Sequence, residues 1–387
     1  MTHDFDTPVS RVGTASLKYE GRETYYGTQD VTPVWVADMD FSVPKAVTAA
    51  LIERAQHTIY GYTDYPESMY TSMQHWFKTR HGWEIDRDSI VMCPGVVPSI
   101  YAAITALTEV GDKVIVQPPV YHPFFTAVTD TQRTLVENPL ILEDKHYRMD
   151  LVHLAQCAEA GAKVLVLCSP HNPVGRVWRR SELEALLVVA RRYDLTIISD
   201  EIHADLIFPD QTHTAIATLA DDVSIMTTVS PSKTFNIPGL GLSAMVVNNK
   251  AQRKAIKQVF SQWHVSNTNP FSICGFEAAY QHGEAWLDDL MIYLDDTRLA
   301  VKEYLETSLP EMSLVESEGT YLLWLDCRAM AMSDGELHRF FIEKAKVAMS
   351  PGTLFGQAGS GFMRLNIAAP KALILSVLKN IRLAYAA

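Results

Sequence analysis

Six short apolar segments alternate with helical segments in the central part of the chain, and this alternation restricts the possible folds strongly. The apolar segments lie at residues 89–92, 113–117, 163–168, 196–199, 224–229 and 243–247. Helical spacing of apolar residues is clearest at 99–109 and 181–193. Short apolar strands separated by helices are typical of a mostly parallel sheet with helices on both faces. We therefore predict a large α/β domain at residues 46–283.

The two ends of the chain predict a smaller α+β domain. Residues 1–45 are expected to form a polar N-terminal arm that also contributes to this domain, with a short strand at 34–37. Residues 284–309 carry apolar side chains at helical spacing, over a length that reaches from one domain to another. Residues 284–387 are thus predicted to form a linking helix and the small domain. Further elements are predicted at 44–55, 67–80, 321–325, 334–345, 363–366 and from Lys371.

Composition excludes several classes of protein. The chain has 387 residues, is 48% hydrophobic and 20% charged, and has a formal net charge of −12. Nucleic acids and anionic membranes require a basic surface, so neither is an expected partner. No apolar run approaches a bilayer span, and the polar start, MTHDFDTPVSR, has no signal-peptide pattern. The five scattered cysteines lack a C-x-x-C pattern, and no metal-ligand spacing is present. We expect a cytoplasmic protein with reduced thiols and no metal site.

Lys233 lies in the sequence SPSKTFNIPGL, directly after the predicted strand at 224–229. A lysine between small hydroxylated residues at the end of a buried strand is placed to be partly desolvated. Burial disfavours the charged form of an amine, so such a lysine loses its proton more readily and becomes a nucleophile toward a carbonyl. The alternative is a surface lysine in a Ser/Pro loop.

Residues after other predicted strands are suited to one ligand, because open α/β sheets bind ligands at the carboxyl ends of their strands. Gly95, Val96 and Val97 offer backbone N–H groups at a helix start, where phosphate binds, although a plain turn is the alternative. The ring of Tyr121 can lie against a planar cofactor or in the core. Asn172 follows the strand at 163–168, where Asn-Pro also occurs for local reasons.

Asp200, Ser230 and Ser232 complete this set. Asp200 follows the predicted strand at 196–199, and a buried carboxylate needs a cation or a donor. A protonated ring nitrogen would meet that need, as would a helix N-terminus or an internal salt bridge. Ser230 and Ser232 can bind phosphate oxygens. The set predicts pyridoxal 5′-phosphate, with Lys233 for the aldehyde, Asp200 for the pyridine nitrogen, Tyr121 for the ring face and the Gly95 turn for the phosphate.

The chain resembles the fold-type I pyridoxal-phosphate enzymes along nearly its whole length, and within them the MalY/PatB-type cystathionine β-lyases, or C–S lyases. The resemblance rests on VADMDF (36–41), YGY (60–62), PPVYHPFF (118–125), CSPHNPVGRVW (168–178), ISDEIHADL (198–206), SPSKTFNIPGL (230–240), EGTYLLWLD (318–326) and GFMRLN (361–366). It implies the fold-type I architecture, with a large cofactor-binding α/β domain and a smaller α+β domain.

The resemblance also implies roles for particular residues. Asn172 would donate to the phenolic oxygen of the cofactor, and His203 would stand where aminotransferases carry a tyrosine. Tyr62 would reach the cofactor phosphate of a neighbouring subunit, which implies a homodimer with shared sites. Arg364 would bind the substrate α-carboxylate, a task suited to a guanidinium. Tyr121 and Asp38 of the DMDF motif are the other predicted substrate-binding residues.

One departure from the aminotransferase pattern bears on function. Aminotransferases of this class usually carry an arginine for the phosphate shortly after the lysine, whereas this chain reads Pro238-Gly239-Leu240-Gly241-Leu242. This favours a lyase that eliminates a thiol from L-cystathionine or a related cysteine S-conjugate, giving pyruvate and ammonia. Lys233 would be the general base. The alternatives are an aminotransferase, a lyase that also binds a regulatory protein, and a catalytically inactive relative.

Overall fold

The computed structural model describes residues 2–265 and 269–387. Its strands are β1 (Thr32–Pro33), β2 (Ile90–Cys93), β3 (Lys113–Val116), β4 (Thr134–Glu137), β5 (Ile141–Glu143), β6 (His146–Arg148), β7 (Ala162–Cys168), β8 (Thr196–Asp200), β9 (Ile225–Val229), β10 (Ser243–Val247), β11 (Ser313–Leu314), β12 (Leu322–Asp326), β13 (Val347–Ala348), β14 (Ser350–Pro351) and β15 (Phe362–Asn366).

The α-helices of the described residues follow in the same order. They are α1 (Leu17–Glu20), α2 (Arg22–Tyr26), α3 (Lys45–Gln56), α4 (Glu67–His81), α5 (Val96–Leu107), α6 (Pro123–Thr129), α7 (Leu151–Glu159), α8 (Arg180–Tyr193), α9 (Pro231–Thr234), α10 (Lys250–Gln262), α11 (Pro270–His282), α12 (Glu284–Ser308), α13 (Asp334–Arg339) and α14 (Lys371–Tyr385). None of the helices in the described ranges is long and apolar enough to cross a membrane.

A seven-stranded sheet forms the centre of the molecule, with the strand order β2-β10-β9-β8-β7-β3-β4. Strand β10 runs antiparallel to both of its neighbours, and the other pairs are parallel. Strands β9 and β10 are buried along their whole length. Helices cover both faces, which is the usual way of burying a parallel sheet. The sheet therefore confirms the predicted α/β fold class.

A second sheet has the order β11-β12-β15-β14 and is antiparallel throughout. The 25-residue helix α12 leads into it and buries Leu287, Leu290 and Leu294. A hydrophobic cluster joins α12 with residues of the N-terminal segment, the large sheet and the C-terminal helix α14. The predicted boundaries of two domains, at residues 46 and 284, stay a prediction.

Several predicted elements differ from the structure. The strand expected at 34–37 is wrong. The chain forms strand β1 just before it, parallel to β13, and then bends. The bend arises because the Asn366 side chain, rather than a neighbouring strand, binds the carbonyls of Val36 at 2.5 Å and Asp38 at 2.7 Å.

Two helix boundaries also differ. The turn predicted at 94–98 is shorter, since α5 begins at Val96 and carries Pro98 in its first turn. A proline is tolerated there because that N–H has no partner within the helix. The helix predicted at 334–345 is α-helical only to Arg339 and continues as a π-helical turn at Phe340–Lys344.

The N-terminal arm is more ordered than the sequence indicated. It contains the short helices α1 and α2, and the side chain of Lys18 is fully buried. Arg11 and Lys18 of the arm contact the loop at residues 37–41, which we call the Asp38 loop. The predicted surface arm is therefore wrong for this part of the chain. The short strands β4, β5 and β6 and the helices α6, α7, α10 and α11 were not predicted.

Candidate active site

A cavity of about 230 Å³ lies at the carboxyl edge of the large sheet. Its walls contain most of the residues singled out in the sequence, namely Gly95, Val96, Val97, Tyr121, Asn172, Asp200, His203, Ser230, Ser232 and Lys233. Strands β2, β3, β7, β8 and β9 bring them together, because each of these residues ends or follows one of these five strands at the carboxyl edge. A larger open cleft of about 640 Å³ along α12 contains none of them.

Lys233 belongs to the single-turn helix α9, which begins where β9 ends. Ser230 caps this turn by accepting a hydrogen bond from the backbone N–H of Ser232 at 3.2 Å. The Lys233 amine donates to the carbonyl oxygen of Ala37 at 2.6 Å. Burial, and then the charge of Arg364, lower the pKa of this amine to about 8. A lysine in this environment is a nucleophile and a base near neutral pH.

Asp200 is the last residue of β8 and is buried. Burial raises the pKa of its carboxyl group to about 7, although the Ile202 N–H that it accepts at 3.1 Å opposes this effect. Within the described ranges, no basic side chain forms an ion pair or hydrogen bond with it. A buried acid of this kind is suited to a cationic N–H group of a ligand.

Arg364 lies on β15 and is buried beside Asn172. Its guanidinium donates to Asn172 Oδ1 at 3.1 Å, to the Trp35 carbonyl at 2.8 Å and to Ser350 Oγ at 3.2 Å. Its Nε has no hydrogen-bond partner, and among the described residues it has no carboxylate partner either. Burial lowers the pKa of Arg364 to about 10. A buried cation that faces only neutral groups is suited to an anionic ligand.

Asn172 and His203 complete the polar wall of the cavity. Asn172 is 4% exposed and lies in the turn after β7, where its backbone N–H donates to Cys168 Sγ at 3.4 Å. His203 is also buried, and its Nδ1 has no hydrogen-bond partner among the residues that the structure describes. Burial, with smaller effects of Lys233 and Arg364, lowers the pKa of His203 to about 3. The imidazole is therefore neutral at physiological pH.

The predicted phosphate cradle is formed by two elements. Val96 and Val97 open α5, and the first N–H groups of a helix have no partner within it. The hydroxyls of Ser230 and Ser232 lie opposite, 2.9 Å from each other. Among the described residues that line the cavity, Lys233 is the only lysine or arginine. A phosphate here would be held by backbone N–H groups, a helix N-terminus and hydroxyls.

Three predicted site residues do not line this cavity: Arg364, which lies beside Asn172 of the cavity wall, Tyr62 and Asp38. Tyr62 is fully exposed and touches no part of the site in its own chain. The carboxylate of Asp38 accepts hydrogen bonds from Arg11 at 2.6 and 2.9 Å and does not line the cavity. The predicted substrate contact of Asp38 is thus not supported, because Arg11 already occupies its oxygens.

Residues that the sequence did not single out also contribute. Ala37 supplies the acceptor for Lys233, and Tyr321 donates to the same carbonyl at 3.0 Å. Trp35 and Ser350 hold Arg364. Backbone carbonyls leave no signal in a sequence, although the VADMDF motif marks the segment that provides one of them.

The residues of the cavity fit pyridoxal phosphate. The cofactor carries an aldehyde, a basic ring nitrogen and a phosphate, and the cavity presents an amine of lowered pKa, a buried acid without a cation, and a helix N-terminus. The amine, the acid and the helix N-terminus follow different strands, but all three line the same cavity. The fit rests on the donors and acceptors that remain available in this chain.

Comparison with known proteins gives an independent view of this site. Residues 30–381 match the aminotransferase class I and II family. The chain is 38% identical to cystathionine β-lyase PatB of Bacillus subtilis over 98% of this chain and 99% of that protein. It is 33% identical to the protein MalY of Escherichia coli over 95% of each chain.

A solved structure agrees with the fold. It is a pyridoxal-phosphate-bound putative aminotransferase from Clostridium difficile, with 37% sequence identity and a TM-score of 0.97. The match covers 99% of this chain and all of that one. The resemblance predicted from sequence motifs is thereby confirmed.

Proposed function

The chain belongs to the aminotransferase class I and II family and, within it, to the MalY/PatB type of cystathionine β-lyase, and on this premise we propose that it is a pyridoxal-phosphate-dependent C–S lyase. The substrates are L-cystathionine or related cysteine S-conjugates. The observation that carries this proposal is the arrangement of a desolvated amine on Lys233 and a buried acid on Asp200 around one cavity, with the buried guanidinium of Arg364 bonded to Asn172 of the cavity wall.

Each part of the cofactor has a counterpart in the cavity. Lys233 would bind the aldehyde, Asp200 would receive the ring N–H, Asn172 would donate to the phenolic oxygen and Tyr121 would cover the ring. Val96, Val97, Ser230 and Ser232 bind the phosphate. When bound, pyridoxal phosphate supplies a protonated ring that withdraws electrons from the α-carbon of an amino acid. Asp200 keeps that ring protonated, since its carboxylate is buried and stabilises a facing cation.

Arg364 and Lys233 act on the substrate. Arg364 binds the α-carboxylate through two N–H groups and so fixes the α-carbon beside Lys233. Lys233 would remove the α-proton as a neutral amine, for which its pKa of about 8 is well matched. The thiolate then leaves the β-carbon and takes up a proton. With water, cystathionine gives homocysteine, pyruvate and ammonia.

An aminotransferase is the second candidate, because the similar Clostridium difficile protein is described as a putative aminotransferase. That reaction would use the same lysine and cofactor, and only the fate of the substrate differs. The absence of an arginine after Lys233 supports the lyase.

We further infer a homodimer in which Tyr62 reaches the phosphate of the neighbouring site. Its side chain is completely exposed, and Ile59 and Tyr60 beside it are more than half exposed. An apolar segment of this kind is expected to be covered by another chain. A mixture of Tyr62→Phe chains and Lys233→Ala chains tests this. If the sites are shared, one site of a mixed dimer contains both Tyr62 and Lys233, and the other site contains neither.

The function is tested with a product assay. The purified protein is incubated with L-cystathionine and pyridoxal phosphate, without any keto acid, and pyruvate and free thiol are measured together. The proposal predicts equal amounts of both, and none from Lys233→Ala. Product that appears only after a keto acid is added, without free thiol, would establish the aminotransferase instead.

A further inference from the structure

The Asp38 loop, residues 37–41, lies directly against the predicted catalytic lysine. Its first carbonyl, on Ala37, accepts the hydrogen bond of Lys233 at 2.6 Å. Asn236, three residues after Lys233, binds Met39 on both sides, accepting from its N–H at 2.9 Å and donating to its carbonyl at 3.0 Å. The side chain of Asn366 donates to the Asp38 carbonyl at 2.7 Å. The backbone of this loop is thus fixed by residues that adjoin Lys233 and Arg364 in sequence.

The carboxylates of the loop are held by two cations of the N-terminal segment. Arg11 contacts Asp38 at 2.6 Å and Asp40 at 3.0 Å, and Lys18 contacts Asp40 at 2.8 Å. Lys18 is fully buried, and Asp40 is 5% exposed. Two positive and two negative charges therefore balance one another in a largely buried cluster. Replacing such a cluster with apolar side chains is often neutral for stability or stabilising, so its presence calls for another explanation.

The charges around Lys233 give that explanation. The ionisable side chains that face its amine come from several elements, and they are Asp38, Asp200, His203, Tyr321 and Arg364. Arg364 lowers the pKa of Lys233, whereas Asp38 and Asp200 raise it. Because Arg11 binds both oxygens of Asp38, it weakens the effect of that carboxylate on the lysine.

We propose that Arg11 and Lys18 are positioning residues for Lys233, which hold the Asp38 loop against the lysine and neutralise the two carboxylates behind it. The two cations then set the protonation of the lysine, although neither Arg11 nor Lys18 lines the cavity. This inference rests on the proposed function, because it concerns the lysine that binds the cofactor. It replaces the predicted contact between Asp38 and substrate with an action of Asp38 through the lysine.

The test is a pH titration of the holoenzyme, followed by the absorbance band of the bond between Lys233 and the cofactor. Arg11→Gln leaves Asp38 without its cation, so the positively charged form of the linkage is stabilised and the midpoint should rise. Asp38→Asn leaves Arg11 in excess, so the midpoint should fall. Each shift should be about half to one pH unit for charges that lie several ångströms away in a partly buried site.

The double variant Arg11→Gln/Asp38→Asn separates charge from structural damage. It restores the charge balance, so its midpoint should return toward that of the parent, whereas damage to the loop would accumulate. Lys18→Met is a second single variant with the same expected sign as Arg11→Gln, so the proposal stays testable if one variant does not fold. Arg298→Gln is the matched control, because the Arg298–Asp295 pair has similar exposure and lies on α12.

The outcomes are distinct. Opposite shifts for Arg11→Gln and Asp38→Asn, with an unchanged midpoint for Arg298→Gln, support the proposal. Equal midpoints in all variants, or shifts of the same sign, overturn it. A parent protein without any lysine–cofactor band would instead contradict the proposed function, and the two failures are therefore distinguishable.

Discussion

Replacing Arg364 with methionine should separate the stability of the chain from its activity. The guanidinium is buried, its Nε is unpaired and no carboxylate among the described residues neutralises it. It is available to form two charge-assisted hydrogen bonds with a substrate carboxylate. Such bonds contribute about 1.5–3 kcal/mol each. We expect the pair to contribute about 3–4 kcal/mol to binding, because reorganisation of the site offsets part of the sum.

This free energy corresponds to a loss of about 10²- to 10³-fold in kcat/KM. The stability of the chain should change much less. Methionine removes a buried charge, which is favourable, but takes the Arg364 donor away from Asn172 and Ser350, while the Trp35 carbonyl still accepts from Ser350 Oγ at 3.3 Å. The two effects oppose each other, so we expect the free energy of unfolding to change by no more than about 1–2 kcal/mol.

The assay compares an S-alkyl-cysteine with its α-carboxamide in both proteins. The parent should prefer the carboxylate by about the same 10²- to 10³-fold, and the variant should show little preference, since only the carboxylate can use the guanidinium charge. Thermal unfolding of both proteins gives the stability. If the variant keeps the preference of the parent, Arg364 does not bind the carboxylate. If it instead loses activity on both compounds together with its stability, Arg364 is structural.

Two further changes test other parts of the account. In the chain without cofactor, the pKa of Asp200 is raised from its ordinary value to about 7, so the parent should lose stability as pH rises from about 4 to 7, whereas Asp200→Asn should not. Urea unfolding gives the free energy of unfolding of both proteins at several pH values. Between about pH 4 and 7, this free energy should fall by about 2–4 kcal/mol more in the parent than in Asp200→Asn, and parallel curves would refute the burial argument. Gly352→Ala places a Cβ 1.9 Å from the Gly359 carbonyl oxygen and should cost about 1–3 kcal/mol in thermal unfolding. Gly335→Ala on α13, whose Cβ meets the end of the Arg339 side chain at 3.8 Å, is its control, and equal stability of the two variants would contradict the close approach.

Much of the fold follows from local patterns in the sequence. Most strands of the large sheet are short, apolar and separated by helices, so six of the seven and their mostly parallel arrangement could be predicted, with shifts of one or two residues, whereas the edge strand β4 was missed. Periodicity could not show that β10 runs in the opposite direction, because both directions bury the same side chains. It also missed α10 and α11, whose bounds depend on caps such as Asn249 and Asn269.

The site could be predicted where a side chain follows a strand. Lys233, Asp200 and Asn172 do so, and the structure brings them into one cavity. The interaction of Arg11 with Asp38 could not be predicted, since nothing local relates an arginine in a polar arm to a carboxylate 27 residues later. For the same reason the acceptor on Ala37 was missed. Such contacts depend on how the segments pack and not on the residues alone.

Covalent trapping tests the central claim most directly. The purified protein is loaded with pyridoxal phosphate, reduced with borohydride, digested and analysed by mass spectrometry. We predict that the reduced cofactor is found on the peptide that contains Lys233, and that Lys233→Ala yields no labelled peptide at this site. A cofactor attached to a different lysine, or no attachment in the parent, would contradict the account.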